Sequence, residues 1–151
     1  MKRVDTSDWP CTIARSAHLL GDHWNLLIIR QACLGTRRFD DFQEALGTGR
    51  NILTIRLKTL VEEGLLRRVE YQKNPPRHEY RLTDKGRDVY PILAAMAAWG
   101  DRWLTGPEGT PLVLHHTSCD HDMQAVVVCS ECWQPLDVHD VRATPGPGHP
   151  G

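Results

Sequence analysis

The chain has 151 residues, 40% hydrophobic and 25% charged, with a formal net charge of −1 at pH 7, a composition that suits one core of ordinary size with a short appendage. No apolar run approaches the roughly 20 residues needed to span a bilayer, so a membrane protein is excluded, and the start, MKRVDTSDWP, lacks the apolar stretch of a secretory signal, so a cytoplasmic location is expected. The charges are sorted: residues 1–104 carry 17 Lys and Arg against 13 Asp and Glu, net +4, whereas residues 105–151 carry 1 against 6, net −5.

Cys11 to Leu20 places apolar residues near helical spacing and Gly21 stops it. Asp22 can cap a second helix, His23 to Leu34, whose apolar run Trp24, Leu26, Leu27, Ile28, Ile29 belongs in a core. A short helix from Phe39 ends at Gly47-Thr48-Gly49, and a further helix, Asn51 to Glu63, is expected to turn Ile52, Leu53, Leu57, Leu60 and Val61 inward before Gly64. Two short helices joined by a Gly-containing turn form a helix-turn-helix. Leu66 to Gln72 reads as a strand, Lys73 to Arg77 as a turn and His78 to Leu82 as the returning strand. Thr83 and Asp84 open a long helix to about Leu104, with Pro91 inside it as a bend or a fresh start. Beyond a turn-rich linker, Leu112 to Leu114 and Ala125 to Val128 read as short strands, and Pro145 to Gly151 as a disordered tail. The expected class is mainly α with a small β-hairpin, a winged helix over residues 1–104, followed by a short β-rich appendage over 105–144 and a tail over 145–151.

The residues that fill this order resemble the HxlR-type regulators. The matching stretches include Leu20-Gly21-Asp22-His23-Trp24, Gly35-Thr36-Arg37-Arg38-Phe39, Leu53-Thr54-Ile55-Arg56-Leu57, Leu60-Val61-Glu62-Glu63-Gly64-Leu65 and Pro75-Pro76-Arg77-His78-Glu79-Tyr80-Arg81-Leu82-Thr83-Asp84-Lys85-Gly86, covering about residues 9 to 104. The resemblance implies a DNA-binding transcriptional regulator, working as a homodimer in which the first and last helices pack across a two-fold axis. It departs from the family at Thr12, where Pro is frequent, and at Gly49-Arg50-Asn51, where a Ser often caps; Thr48 or Asn51 would then take the cap.

A recognition helix enters the major groove with its N-terminal residues on base edges. That directs Arg50, Asn51, Thr54 and Ile55 toward bases and Arg56 and Lys58 toward phosphates, unless the face is merely solvated. Lys73, Arg77 and His78 surround a Pro-stiffened wing tip, with Arg77 suited to the minor groove; the alternative is a solvated turn. Arg37 and Arg38 are expected on backbone phosphate. Residues 50–87 hold 10 basic against 5 acidic side chains, the local patch that phosphate binding requires. Such a dimer selects an inverted-repeat operator. Ile13, Leu20, Trp99 and Trp103 are expected at the dimer interface, although the tryptophans also suit the chain's own core.

Cys11 is a redox candidate because a helix N-terminus stabilises a thiolate, and equally a small core residue; Cys33 reads as core. In the tail, Cys119, His121, Cys129 and Cys132 have the donor types of a structural zinc site, with His115, His116 and His139 as substitutes. A metal-free packed hairpin and a disulfide are the alternatives, and DNA binding itself needs no cofactor. An enzyme is not expected: a Cys/His hydrolase would need nucleophile, base and oxyanion site together, and no local signature supplies them. The remaining alternative keeps the fold and senses a ligand or thiol oxidant through protein contacts, with the effector unspecified.

Overall fold

A computed structural model describes residues 4–151. The first unit, up to Tyr90, begins with α1 (Thr12–Leu20), an amphipathic helix that buries none of its residues fully. Asp22 starts α2 (His23–Cys33), its carboxylate accepting from the Trp24 N–H at 3.0 Å, which satisfies a donor that has no partner within the helix. Helix α3 (Phe39–Leu46) buries Phe42 and ends at Gly47 with φ 61°, the left-handed cap that glycine adopts without steric cost. Helix α4 (Arg50–Glu62) buries Leu53, Leu57 and Leu60, one side of the cylinder at 3.6 residues per turn.

Strands β1 (Leu66–Gln72) and β2 (Arg77–Leu82) form an antiparallel hairpin in register Leu66 to Leu82, with an irregularity between Glu70 and Gln72. The hairpin is fastened at its base. The Tyr80 N–H donates to the Arg37 carbonyl at 2.7 Å and the Thr83 N–H to the Leu65 carbonyl at 3.1 Å. Thr83 also caps the single turn α5 (Asp84–Arg87), accepting from the Gly86 N–H at 3.1 Å. At Gly86 a Cβ would stand 2.1 Å from the Leu65 carbonyl oxygen, so only glycine allows this approach. Ile28, Ile29, Phe42, Leu53, Leu57, Leu60, Leu65 and Leu66 close the core almost completely, each such side chain contributing about 1.5–3 kcal/mol on burial.

The second unit, residues 91–149, holds most of α6 (Tyr90–Trp103) and the tail. There β3 (Leu114–His116) pairs antiparallel with β4 (His121–Met123), and Val128 makes an isolated bridge to Pro135. Residues 145–151 carry no helix or strand.

Of the two readings of Pro91 the fresh start holds: α5 stops at Arg87, and Pro91, lacking an N–H, sits in the first turn of α6, where that donor would have no partner anyway. Three expectations change. Ile52, expected inward on α4, is exposed, because it lies off the line of Leu53, Leu57 and Leu60. The tail strands lie at 114–116 and 121–123 instead of 112–114 and 125–128, because the turn between them, with Asp120 at φ 58°, pairs the residues that flank it. Neither Thr48 nor Asn51 caps α4: Gly49 is the N-cap without a side-chain bond, Asn51 lies inside the helix, and the buried Thr48 hydroxyl has no hydrogen-bond partner.

Candidate nucleic-acid interface

The buried leucines of α4 fix what its other side shows. Asn51, Thr54, Ile55 and Lys58 recur at i, i+3, i+4 and i+7 and are all exposed, Ile55 at 59%. Arg50 stands at the start of this face, its guanidinium 4.7 Å above the Phe39 ring and 3.8 Å from the Asp40 carboxylate. The Thr54 hydroxyl donates to the Arg50 carbonyl at 2.8 Å, and Lys58 lies 3.8 Å from Glu62. Both are exposed contacts that a stronger partner displaces cheaply.

Arg56, expected beside them on a phosphate, turns inward instead. It pairs with Asp22 at 2.9 Å, the two side chains 32% and 12% exposed. Its place at the edge of the leucine face, next to the cap of α2, decides this.

The wing supplies the second half of the surface. Lys73 and Arg77 are exposed, whereas His78 is half-buried and faces Glu70 at 3.8 Å, its partner in the strand register. Arg38, Arg50, Arg68 and Arg77 line one groove of about 560 Å³ with Tyr71 and His78, and the Arg38 guanidinium lies 5.1 Å from the Tyr71 ring centroid. Arginines on stacked, planar supports present preorganised forks for phosphate oxygens. Arg37 lines a separate groove with Arg67, Arg81 and Arg87. Sequence reading missed Arg68 and Tyr71, which are exposed on β1 beside the buried Leu66 and the half-buried Val69, a pattern that strict strand alternation does not give.

The HxlR-like helix-turn-helix family model matches residues 19–108, spanning α2 to α6 and therefore the whole of this surface. The chain belongs to the HxlR-like family. Among relatives of this HxlR-like chain, an HTH-type transcriptional regulator of Mycobacterium tuberculosis is 41% identical over 137 residues, covering 91% of this chain and 87% of the relative. The crystal structure of PA1607, described as a transcription factor, superposes with a TM-score of 0.85 at 34% identity, covering 95% of this chain and 100% of that one. The reduced form of the transcriptional regulator YodB from Bacillus subtilis has a TM-score of 0.55 at 33% identity, covering 62% of this chain and 93% of that one. The HxlR-like chain is thus a transcriptional regulator with a winged helix-turn-helix fold, and not an enzyme. No helix of the described residues is long and apolar enough to cross a membrane.

The remaining candidates are scattered. Ile13, Trp99 and Trp103 are 79%, 60% and 62% exposed and Leu20 is half-buried; on α6 the exposed Ile92 and Met96 extend the tryptophan stripe at 3- and 4-residue steps. Cys11 is exposed at the N-cap of α1. Cys33 is half-buried, and burial pushes its thiol up from the ordinary range. In the tail, Cys119 Sγ lies 3.3 Å from His116 Nδ1, while His121 Nδ1 bonds the Cys119 carbonyl. The amides of Cys132 and Glu131 on its sulfur hold the Cys129 thiol below the ordinary range. Among the described residues no three His, Cys, Asp or Glu side chains gather into a group that could hold one metal ion.

Proposed function

We propose that this regulator binds an inverted-repeat operator as a cytoplasmic homodimer, with α4 in the major groove and the β1–β2 wing against the minor groove. The observation that carries the reading is the exposed Asn51, Thr54, Ile55, Lys58 face of α4, opposite a fully buried leucine face and beside the four-arginine groove. Asn51 and Thr54 read base edges, Ile55 meets a thymine methyl, and Arg38, Arg68 and Lys58 take phosphates. Arg77 enters the minor groove, whose narrow A·T stretches concentrate negative potential. The exposed stripe Ile92, Met96, Trp99, Trp103 and the exposed Ile13 supply apolar surface for a second copy.

Thiol control through Cys11 belongs to the same proposal, supported by its exposure at a helix N-terminus. YodB, the relative solved in its reduced form, is also known in a diamide-treated form.

Selection of bound sites from random DNA tests the reading. Inverted repeats with half-sites one helical turn, or a multiple of it, apart are expected, with affinity falling steeply with salt. Recovery of unrelated sequences, or binding indifferent to salt, overturns it in favour of a module that signals through protein contacts.

A further inference from the structure

Arg67 and Arg68 are neighbours on β1, yet they line different grooves, and only that of Arg68 belongs to the proposed duplex surface. Arg67 stands directly opposite Arg81 in the β1–β2 register, and like charges in that relation destabilise a hairpin. The groove of about 360 Å³ that the pair lines receives two more arginines from outside the hairpin, Arg37 from the loop before α3 and Arg87 from α5. Arg81 Nε donates to Glu79 at 2.8 Å, and Arg87 pairs with Asp84 while its Nη1 donates to the Leu82 carbonyl at 3.1 Å. Those contacts hold both guanidinium groups in place and leave further N–H donors on each. Arg37 and Arg67 are exposed and have no carboxylate partner among the described residues. The carbonyl end of α2 borders the groove without employing them, because the Arg30, Gln31 and Ala32 carbonyls accept from the Leu34, Thr36 and Gly35 N–H groups, each at 3.1 Å.

Four guanidinium groups against two carboxylates leave two positive charges at one place. A phosphate monoester brings about −1.5 to −2 near neutral pH, and two successive phosphodiesters of a duplex bring one charge each. A carboxylate has a single charge and two coplanar oxygens, enough for one fork. The tetrahedral oxygens of a phosphate accept from forks that arrive from several directions, and here the forks come from a loop, two strands and a helix. Thr36 lines the same groove with a hydroxyl that can donate to a further oxygen. A bound phosphate would also relieve the repulsion that the register imposes on Arg67 and Arg81.

We propose that the groove of Arg37, Arg67, Arg81 and Arg87 is a phosphate-binding site, filled by operator backbone beyond the wing or by a free phosphate-bearing small molecule. Tyr80 lines this groove and that of Arg38, Arg50, Arg68 and Arg77, so the two adjoin at the hairpin. Capture of a phosphate group stands on the groove alone; the backbone as its source rests on the operator reading above.

Inorganic phosphate and acetate, titrated into the full chain at constant ionic strength and followed by amide NMR shifts, test the site. Phosphate is expected to shift Thr36, Arg37, Arg67 and Arg81 and to bind there at least about tenfold tighter than acetate, the factor that one further charge-assisted hydrogen bond supplies. Arg67→Gln, a change at an exposed position, should weaken phosphate at these residues at least about tenfold. If Arg67→Gln does not fold, the comparison of the two anions on the natural chain decides. Shifts absent from these residues, acetate binding there as tightly as phosphate, or a folded Arg67→Gln that binds phosphate undiminished overturns the site. Salt titration of operator binding then separates the sources. With localised phosphate binding in hand, a slope of log affinity against log salt that falls by about 0.9 in Arg67→Gln identifies the operator backbone, and an unchanged slope identifies a free phosphate compound. A chain that binds no DNA at all fails the operator reading, while the phosphate titration still judges the groove.

Discussion

Replacing Asp22 by alanine strikes two interactions at once, because one carboxylate both caps α2 and pairs with Arg56. Loss of an N-cap costs about 1 kcal/mol. The pair lies between the limits of an exposed bridge, worth about 0–1 kcal/mol, and a buried one, whose rupture costs about 3–5 kcal/mol. With Asp22 12% and Arg56 32% exposed, about 1–2 kcal/mol is the reasonable figure once solvent screening is allowed for. Asp22→Ala should therefore cost about 2–3 kcal/mol, and Asp22→Asn, which keeps an equally good cap, about 1–2 kcal/mol. Urea denaturation followed by circular dichroism reads both, as a shift in midpoint at constant slope. Equal losses for the two variants, or an Asp22→Ala midpoint unchanged within error, would refute the division of labour assigned to this carboxylate.

Salt titration of operator binding should separate the cations of α4 and the wing. Arg68→Ala and Lys58→Ala each lower the slope of log affinity against log salt by about 0.9, whereas Arg56→Ala leaves it unchanged while lowering stability; a slope that drops for Arg56→Ala would put that side chain on DNA after all. Double replacement of Trp99 and Trp103 by alanine should give a folded monomer in light scattering, and an intact dimer would remove α6 from the interface. Because its thiol is held below the ordinary range, Cys129 carries more thiolate at pH 7 than Cys33, whose burial raises its own. Limiting iodoacetamide should then alkylate Cys129 well before Cys33, with the difference shrinking as the pH rises past both; equal labelling at pH 7, measured by peptide mass spectrometry, would contradict this.

The helices were legible because their signals are local. Gly21, Gly47 and Gly64 end helical runs in the sequence and do so in the fold, and the spacing of Leu53, Leu57 and Leu60 turned Asn51, Thr54 and Ile55 outward, while Ile52, apolar but off that line, was placed inward and is exposed. What failed depends on partners distant in the chain. Nothing near Arg56 announces Asp22, and nothing near Arg68 announces that Arg38 and Arg50 share its groove. The tail misled for a related reason: the apolar run Ala125 to Val128 has strand composition, but strand pairing went to the residues flanking a tight turn.

The fastening of the wing has a mechanical consequence. At its base the hairpin is bolted to the body through Thr83, through the Tyr80 to Arg37 bond and through the contact that leaves no room for a Cβ at Gly86. Farther out, the ladder is broken between Glu70 and Gln72, before the exposed tip residues 73–76. The wing is therefore a stiff lever with a compliant end. Amide hydrogens at Tyr80 and Thr83 should exchange last and those at Lys73 and Asn74 first. Arg77, at the start of the returning strand, lies where the stiffness begins, so the tip can adapt to the contour of a duplex while the arginine keeps its aim.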